Sequence, residues 1–159
     1  MPERNIALYI SSSSITPERR AQIQHALDTT STEHGQGPAR PGWIEFVPDS
    51  NTWSIGMSSQ DVHQKHSQEN VPHYPRRPII ILDERTAQDG TLLVVSPAVD
   101  EETDQWKHVE LRFALRRVPD TAMNLVIGNQ TLEEYKSHVD EDGVFRWFKG
   151  STVPNPDHD

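Results

Sequence analysis

Residues 108–117 read HVELRFALRR, with apolar side chains at 109, 111, 113 and 115 and polar ones at 108, 110, 112 and 116. A repeat of two matches the alternation of side chains across a β-strand and indicates a strand with one buried face. We therefore expect a strand over 108–117. Its polar face would present His108, Glu110, Arg112 and Arg116 together.

Other apolar runs extend the sheet on both sides of this strand. Residues 79–82 and 91–95 are continuous apolar runs separated by turn residues at 88–90, which predicts an antiparallel pair. Two further runs, at 6–10 and 43–47, predict two more strands. The sheet is expected to contain strands near residues 6, 44, 80, 93 and 112.

Two segments carry helix start signals. Thr16 followed by Pro17 can cap a helix over 17–27, because proline suits the first helical position. Thr131 and Glu134 form a capping-box pattern that begins a helix over 132–139. The prediction is an α+β fold: a single domain over residues 1–150, with a mixed β-sheet backed by two or three helices.

Three segments lack apolar periodicity. Residues 29–41 and 58–77 are rich in polar residues, glycine and proline, and are expected to be flexible loops with at most one short helix near 60–66. Residues 151–159 are expected to form a disordered tail.

Charge and composition exclude several function classes. The 159 residues include 24 acidic and 15 basic ones, a net charge of −9, which disfavours nucleic acid and anionic membranes as partners. The chain has no cysteine, so it has neither disulfides nor a thiolate nucleophile. The apolar run near the N-terminus is too short for a signal peptide or a membrane span. A cytoplasmic protein is expected.

The second half of the chain contains an ordered series of motifs. They are LRxVP at 115–119, NLxIGN at 124–129, EEY at 133–135 and VDEDGVFRxF at 139–148. With the run PIIILDERT at 78–86, this series resembles a family of small, mostly bacterial domains of unknown function, over roughly residues 78–148. The resemblance implies a compact domain containing helices and strands, and it carries no catalytic residue with it.

One segment of the sequence offers a possible zinc-binding pattern. His63-x-x-His66, with His73 further on, offers three imidazoles, which is enough for zinc, but almost no apolar residue surrounds them. We expect solvated loop histidines and no metal. The chain has no phosphate-binding glycine loop or dinucleotide fingerprint, so no cofactor is expected.

The polar face of the 108–117 strand is the candidate site. His108 can transfer a proton, Glu110 can orient it, and Arg112 or Arg116 can hold an anionic substrate. The substrate-binding candidates in the motif series are Asn124, Asn129, Arg146 and Trp147. The alternative is an ordinary solvated sheet face with cross-strand ion pairs, and capping roles for the asparagines and Arg146.

Two function classes follow from these residues. The first is a cofactor-independent acid/base enzyme, of isomerase, cyclase or lyase type, acting on a small organic molecule. The second is a non-catalytic protein-interaction or ligand-binding domain. The partner is accordingly a small-molecule ligand or another protein.

Overall fold

A computed structural model describes residues 5–30, 43–47, 53–69 and 78–152, except for the side chains of Glu69 and Trp106. Three predictions therefore lie partly or wholly outside the described residues. They are the loop over 29–41 from residue 31 onward, the part of the 58–77 loop at 70–77 with His73, and the tail from residue 153 onward. Within the described ranges, six strands form one sheet: β1 Ile6–Ile10, β2 Ile44–Phe46, β3 Ile79–Leu82, β4 Leu92–Asp100, β5 Gln105–Phe113 and β6 Val144–Phe145.

The same ranges contain five α-helices, where two or three were predicted. They are α1 Pro17–Thr29, α2 Ser59–Glu69, α3 Glu84–Asp89, α4 Val118–Val126 and α5 Leu132–Lys136. The two predicted cap signals are present: the Thr16 hydroxyl accepts from the Arg19 N–H at 3.1 Å, and the Glu134 carboxylate accepts from the Thr131 N–H at 3.4 Å. The last helix is shorter than predicted and ends at Lys136.

The sheet is mixed and the fold is α+β, as predicted. Its strand order is β2-β1-β3-β4-β5-β6. The pairs β1/β2, β1/β3 and β5/β6 are parallel, and β3/β4 and β4/β5 are antiparallel. It follows that β1, β3, β5 and β6 all end at the same edge of the sheet.

Each face of the sheet has its own core. The α1 face, which bears Leu8, Ile80, Val94 and Leu111, packs against α1, α4 and α5. The α2 face, which bears Tyr9, Ile81 and Val95, packs against a smaller apolar cluster that includes Val62 of α2. The β1-α1-β2 crossover moves one way across the sheet, and the β2-α2-β3 crossover moves the other way. When both crossovers have the same handedness, this reversal places α1 and α2 on opposite faces of the sheet.

Two predicted element boundaries were wrong. The β5 strand ends at Phe113, because Leu115–Arg117 forms a 3-10 turn that continues directly into α4. The strand predicted over 91–95 is also longer than predicted. As β4 it continues to Asp100 and pairs with β5 as far as Asp100 opposite Gln105, leaving only an exposed acidic turn at 101–104.

The one helix allowed near 60–66 within the predicted loop over 58–77 is present as α2, and at 11 residues it is longer than predicted. Its inward side consists of Ser59, Val62, His63 and His66, at the spacing i, i+3, i+4, i+7 of one helical face. Only Val62 is apolar, so hydrophobic periodicity does not reveal this face. Among the described residues, no helix is long and apolar enough to cross a membrane.

Candidate functional site

The α2 helix lies against the polar side of β5. Antiparallel pairing sets Arg112 opposite Leu93, Glu110 opposite Val95 and His108 opposite Pro97, so these polar residues share the α2 face with the small apolar cluster. Three of the four residues predicted to share a face do so. Arg116 does not, because it lies beyond the strand in the 3-10 turn.

A chain of hydrogen bonds links α2 to β5. The ring atom Nδ1 of His63 is 3.2 Å from Nδ1 of His108, and Nε2 of His108 is 2.7 Å from Oε2 of Glu110. The Ser59 hydroxyl donates to the same carboxylate. One turn of α2 therefore supplies both ends of the chain, since Ser59 and His63 are four residues apart.

The surroundings lower the pKa values of both His63 and Glu110. Burial, reinforced by the nearby His108 and His66, lowers the pKa of His63 from 6.5 to about 4, so this imidazole is neutral near pH 7. Partial burial acts to raise the pKa of Glu110, but hydrogen bonds from Ser59 and His108 outweigh it and lower the pKa. Glu110 is therefore ionised near pH 7.

The positions of the protons follow from these charge states. An ionised Glu110 can only accept, so Nε2 of His108 carries a hydrogen, and in the neutral form of that ring Nδ1 presents a lone pair. Nδ1 of His63 must then donate to that lone pair. This leaves Nε2 of His63 as a free base, with no hydrogen-bond partner in the described part of the chain.

A groove opens beside His63 and His108. Its volume is about 440 Å³, and it is lined by Gln60, His63, Gln64, Ser67, Pro97, Lys107 and His108. This volume falls in the range of small-molecule sites. Lys107 is exposed and forms no ion pair in the described structure; its side chain leaves β5 on the α1 side with Val109, and the residue borders both this groove and a wider one on that face.

Arg112 is not free to hold a substrate. Its guanidinium binds the Asp83 carboxylate with both terminal nitrogens and donates to the Thr91 hydroxyl at 3.3 Å. Asp83 also caps α3 through the Thr86 N–H at 3.1 Å. Burial opposes ionisation of Asp83, yet the bonds from Arg112 and Thr86 lower its pKa. This pair joins β3, α3 and β5.

The remaining predicted substrate-binding residues lie on the other face or at its rim. Asn124 is buried, and its amide donates to Gln130 at 3.0 Å and to the Tyr135 hydroxyl at 3.1 Å, while its Oδ1 accepts from Asn129 at 3.4 Å. This network holds the loop between α4 and α5. The side chains of both asparagines therefore have hydrogen-bond partners within the protein.

Arg146 and Trp147 follow β6 directly. Arg146 binds Asp142 at 2.7 Å and Asp140 at 2.8 Å, and these bonds raise its pKa. The half-buried Trp147 ring lies under the guanidinium of Arg117, 4.6 Å from its centroid. Neither residue lines the groove at His63.

The histidines of α2 are not the solvated side chains that we expected. His63 is 9% exposed and His66 is 2% exposed. Nδ1 of His66 is 2.6 Å from the hydroxyl of Tyr9, which lies on β1. No group of three or more possible ligand residues is placed to hold a metal ion within the described ranges.

Sequence reasoning missed His63, Gln60, Gln64 and Lys107 as residues of the groove. The available signal was the helical spacing of Ser59 and His63 together with that of Val62 and His66, read as one face of a helix. Lys107 carries no such signal, because its position beside the groove depends on how the β4–β5 hairpin pairs.

Comparison with known proteins identifies a family but no activity. A family model described as a domain of unknown function (DUF6924) matches residues 17–148. No curated protein and no solved structure matches the chain significantly. The matched segment extends the resemblance seen in the motif series over 78–148 toward the N-terminus and includes both α2 and β5. The chain belongs to the DUF6924 family.

Proposed function

We propose that the groove between α2 and β5 is the active site of a cofactor-independent acid/base enzyme of isomerase, cyclase or lyase type. The observation that carries the proposal is the chain Glu110–His108–His63, which ends in an unpaired imidazole nitrogen beside the groove. His63 is the general base, His108 relays the charge, and Glu110 fixes the orientation of His108.

The proposed chemistry is a proton abstraction from a small organic molecule. Nε2 of His63 takes the proton, and its Nδ1–H can pass a proton to Nδ1 of His108. The positive charge then lies next to the ionised Glu110, which stabilises it. His63 can return a proton to another atom of the same substrate, which completes an isomerisation or assists an elimination.

The groove favours a substrate with a negative charge. We propose that Lys107, which borders this groove and the wider one on the other face, takes the role that the sequence predicted for Arg112, because the charge of Arg112 is already paired with Asp83. The side-chain amides of Gln60 and Gln64 offer donors and acceptors for carbonyl or hydroxyl groups. A small carboxylate with an acidic C–H next to a carbonyl fits these groups.

Deuterium exchange tests this proposal without knowledge of the product. The protein is incubated in D2O with a panel of small 2-oxo and 3-oxo carboxylates, and loss of the C–H signal is followed by proton NMR. We expect accelerated exchange for at least one compound, and a decrease of about 10²- to 10⁴-fold in His63→Gln. Glu110→Gln should also slow exchange, while His25→Gln, a change at an exposed histidine of α1, should leave it unchanged.

A second measurement does not depend on the substrate panel. Two-bond proton–nitrogen NMR spectra report the tautomer of each histidine, and we expect the Nε2–H form for His108 and the Nδ1–H form for His63 near pH 7. The opposite tautomers would contradict the proposed base, and so would exchange that survives unchanged in His63→Gln.

The second candidate function is a protein-interaction domain, favoured by a wide groove elsewhere. This groove of about 780 Å³ lies between the β4–β5 hairpin and the loop joining α4 to α5, with apolar Ala98 and Leu125 among acidic side chains that include Glu101, Glu102 and Glu133. Exposed Val99 lines it as well. Its charge fits a basic peptide with apolar anchors, whose binding would be lost in Val99→Asp and retained in His63→Gln.

A further inference from the structure

A third groove lies on the α1 face, at the edge of the sheet where β5 and β6 end. Its volume is about 360 Å³, and its lining includes Arg19 of α1, the turn Asp89-Gly90-Thr91, Leu115 and Arg146. In open α/β sheets, ligands bind outside the carboxyl ends of the strands, and this groove lies at the carboxyl ends of β5 and β6. The groove therefore has both the size and the location of a ligand site.

Arg19 is the unusual residue of this groove. Its Nε is the only buried side-chain nitrogen or oxygen without a hydrogen-bond partner in the described part of the chain. The Arg19 guanidinium has no ion pair there either. A buried donor left without a partner costs about 1–3 kcal/mol, so this arrangement opposes stability unless another group offsets it.

The neighbouring charges are already paired with each other. Arg146 binds Asp140 and Asp142, and Asp89 accepts from Arg85 at 2.9 Å and from the Thr91 hydroxyl at 2.6 Å. Asp89 is fully ionised near neutral pH. Desolvation opposes this, but the bonds from Thr91 and Arg85 lower its pKa to about 2. The carboxylates around the groove therefore have partners, and Arg19 lacks one.

Gly90 allows Arg19 to lie against the turn. A Cβ atom at position 90 would be 2.8 Å from Nη2 of Arg19, closer than real contacts allow. The same residue has φ +77°, which ends α3 in the left-handed conformation that glycine adopts without strain. The absence of a side chain at Gly90 thus provides the space that the guanidinium occupies.

We propose that this groove binds the oxyanion group of a small ligand, with Arg19 as its counter-ion. A guanidinium presents a planar fork of donors that matches the two oxygens of a carboxylate or phosphate. The Nε–H of Arg19 is already out of contact with water in the folded protein, so an incoming anion that accepts from it displaces no water there. The site is separate from the His63 groove and does not depend on the catalytic proposal.

The test compares two neighbouring arginines of α1. Arg19→Met and Arg20→Met make the same change in net charge, but Arg20 lies over the Phe46 ring, 4.2 Å from its centroid, outside the groove. Methyl phosphate and acetate are titrated separately at constant ionic strength, with binding followed by calorimetry and by the NMR signal of each arginine Nε–H. The two probes distinguish a phosphate ligand from a carboxylate ligand.

We expect saturable binding of at least one probe, with a shift of the Arg19 Nε–H signal, and an affinity at least 10-fold weaker in Arg19→Met. Arg20→Met should bind as the unchanged protein does. Equal weakening in both variants would show that binding depends only on net charge, and it would overturn the proposal. Failure of both probes to bind saturably would also overturn it. If Arg19→Met does not fold, the Arg19 signal in the unchanged protein and the weaker binding expected of Arg19→Lys decide the matter.

Discussion

On the α1 face, the sheet packs against three helices through a continuous apolar cluster that extends from Ile6 to Phe145. On the α2 face, a smaller apolar cluster borders polar side chains, His63, His66, Glu110 and Arg112. On the α1 face, stability comes from the amount of apolar area buried and depends little on individual contacts. On the α2 face, each buried polar group needs a hydrogen-bond partner to offset its desolvation. The difference teaches that the α1 face maintains the fold, whereas the α2 face holds the buried polar groups on which the proposed chemistry depends.

The largest expected effect comes from opening a cavity on the α1 face. Phe113 is fully buried and contacts the rings of Tyr135 and Phe145, with centroids 5.4 and 5.3 Å away. Phe113→Ala should lower the free energy of unfolding by about 3–5 kcal/mol, measured by urea denaturation. Val62→Ala, on the α2 face, should lower it by about 1–3 kcal/mol. Equal losses would contradict the distinction between the faces.

The next effect concerns the ion pair at the rim of the α2 face. In Asp83→Asn the α3 cap oxygen remains, but the largely buried Arg112 loses its counter-charge. We expect a loss of about 1–3 kcal/mol, below the value for fully buried pairs because Asp83 is partly solvated. Glu101→Gln, in the exposed turn between β4 and β5, is the matched control and should change stability by less than about 0.5 kcal/mol. An unaffected Asp83→Asn would show that this pair does not stabilise the join between β3, α3 and β5.

The sequence predicts the α1 face well because its signals are local. The alternation from Val109 to Phe113, the apolar run at Ile79–Leu82 and the cap at Thr16 each indicate an element without knowledge of its neighbours. These signals led to the correct fold class and to five of the six strands. They did not set the end of β5, because Leu115 continues the alternation although the backbone has already turned.

The α2 face is harder to predict because its contacts are distant in sequence. His63 and His108 meet across 45 positions, and Ser59 and Glu110 across 51. The sequence placed His108 and Glu110 together, since they are two residues apart on one strand. It did not predict that His63 joins them, because a helix whose inward side is mostly polar has no hydrophobic pattern in its sequence. Arg112 lies on the predicted face of β5, but its guanidinium is bound by Asp83.

A smaller effect is the pH dependence that His63 gives to stability. Its pKa is about 4 in the folded protein against 6.5 ordinarily, so between these values the unfolded chain takes up a proton that the folded chain does not. This contribution is fully present above about pH 6.5 and is lost as the pH falls toward 4. We expect a loss of about 1–2 kcal/mol, reduced from the full value because the ring touches water.

Urea denaturation at pH 7, 5.5 and 4 measures this dependence. His63→Gln should lose less stability on acidification than the unchanged protein, whereas His25→Gln should follow the unchanged protein. Identical pH profiles for the two variants would contradict a neutral His63 in the folded state, and with it the proposed base.

The smallest effect is expected at Arg146, on the rim of the α1 face. Its guanidinium binds both oxygens of Asp142 and one oxygen of Asp140, yet the side chains of all three residues are more than two fifths exposed. Exposed ion pairs contribute little because water screens the attraction and ordering long side chains costs entropy. Arg146→Gln should therefore lower the free energy of unfolding by less than about 1 kcal/mol, and by less again in 1 M NaCl, where charges are screened within about 3 Å. A loss of several kcal/mol that persists at high salt would show that Arg146 stabilises the turn at Asp140–Gly143 by packing, and would place part of the fold's stability outside the two faces compared above.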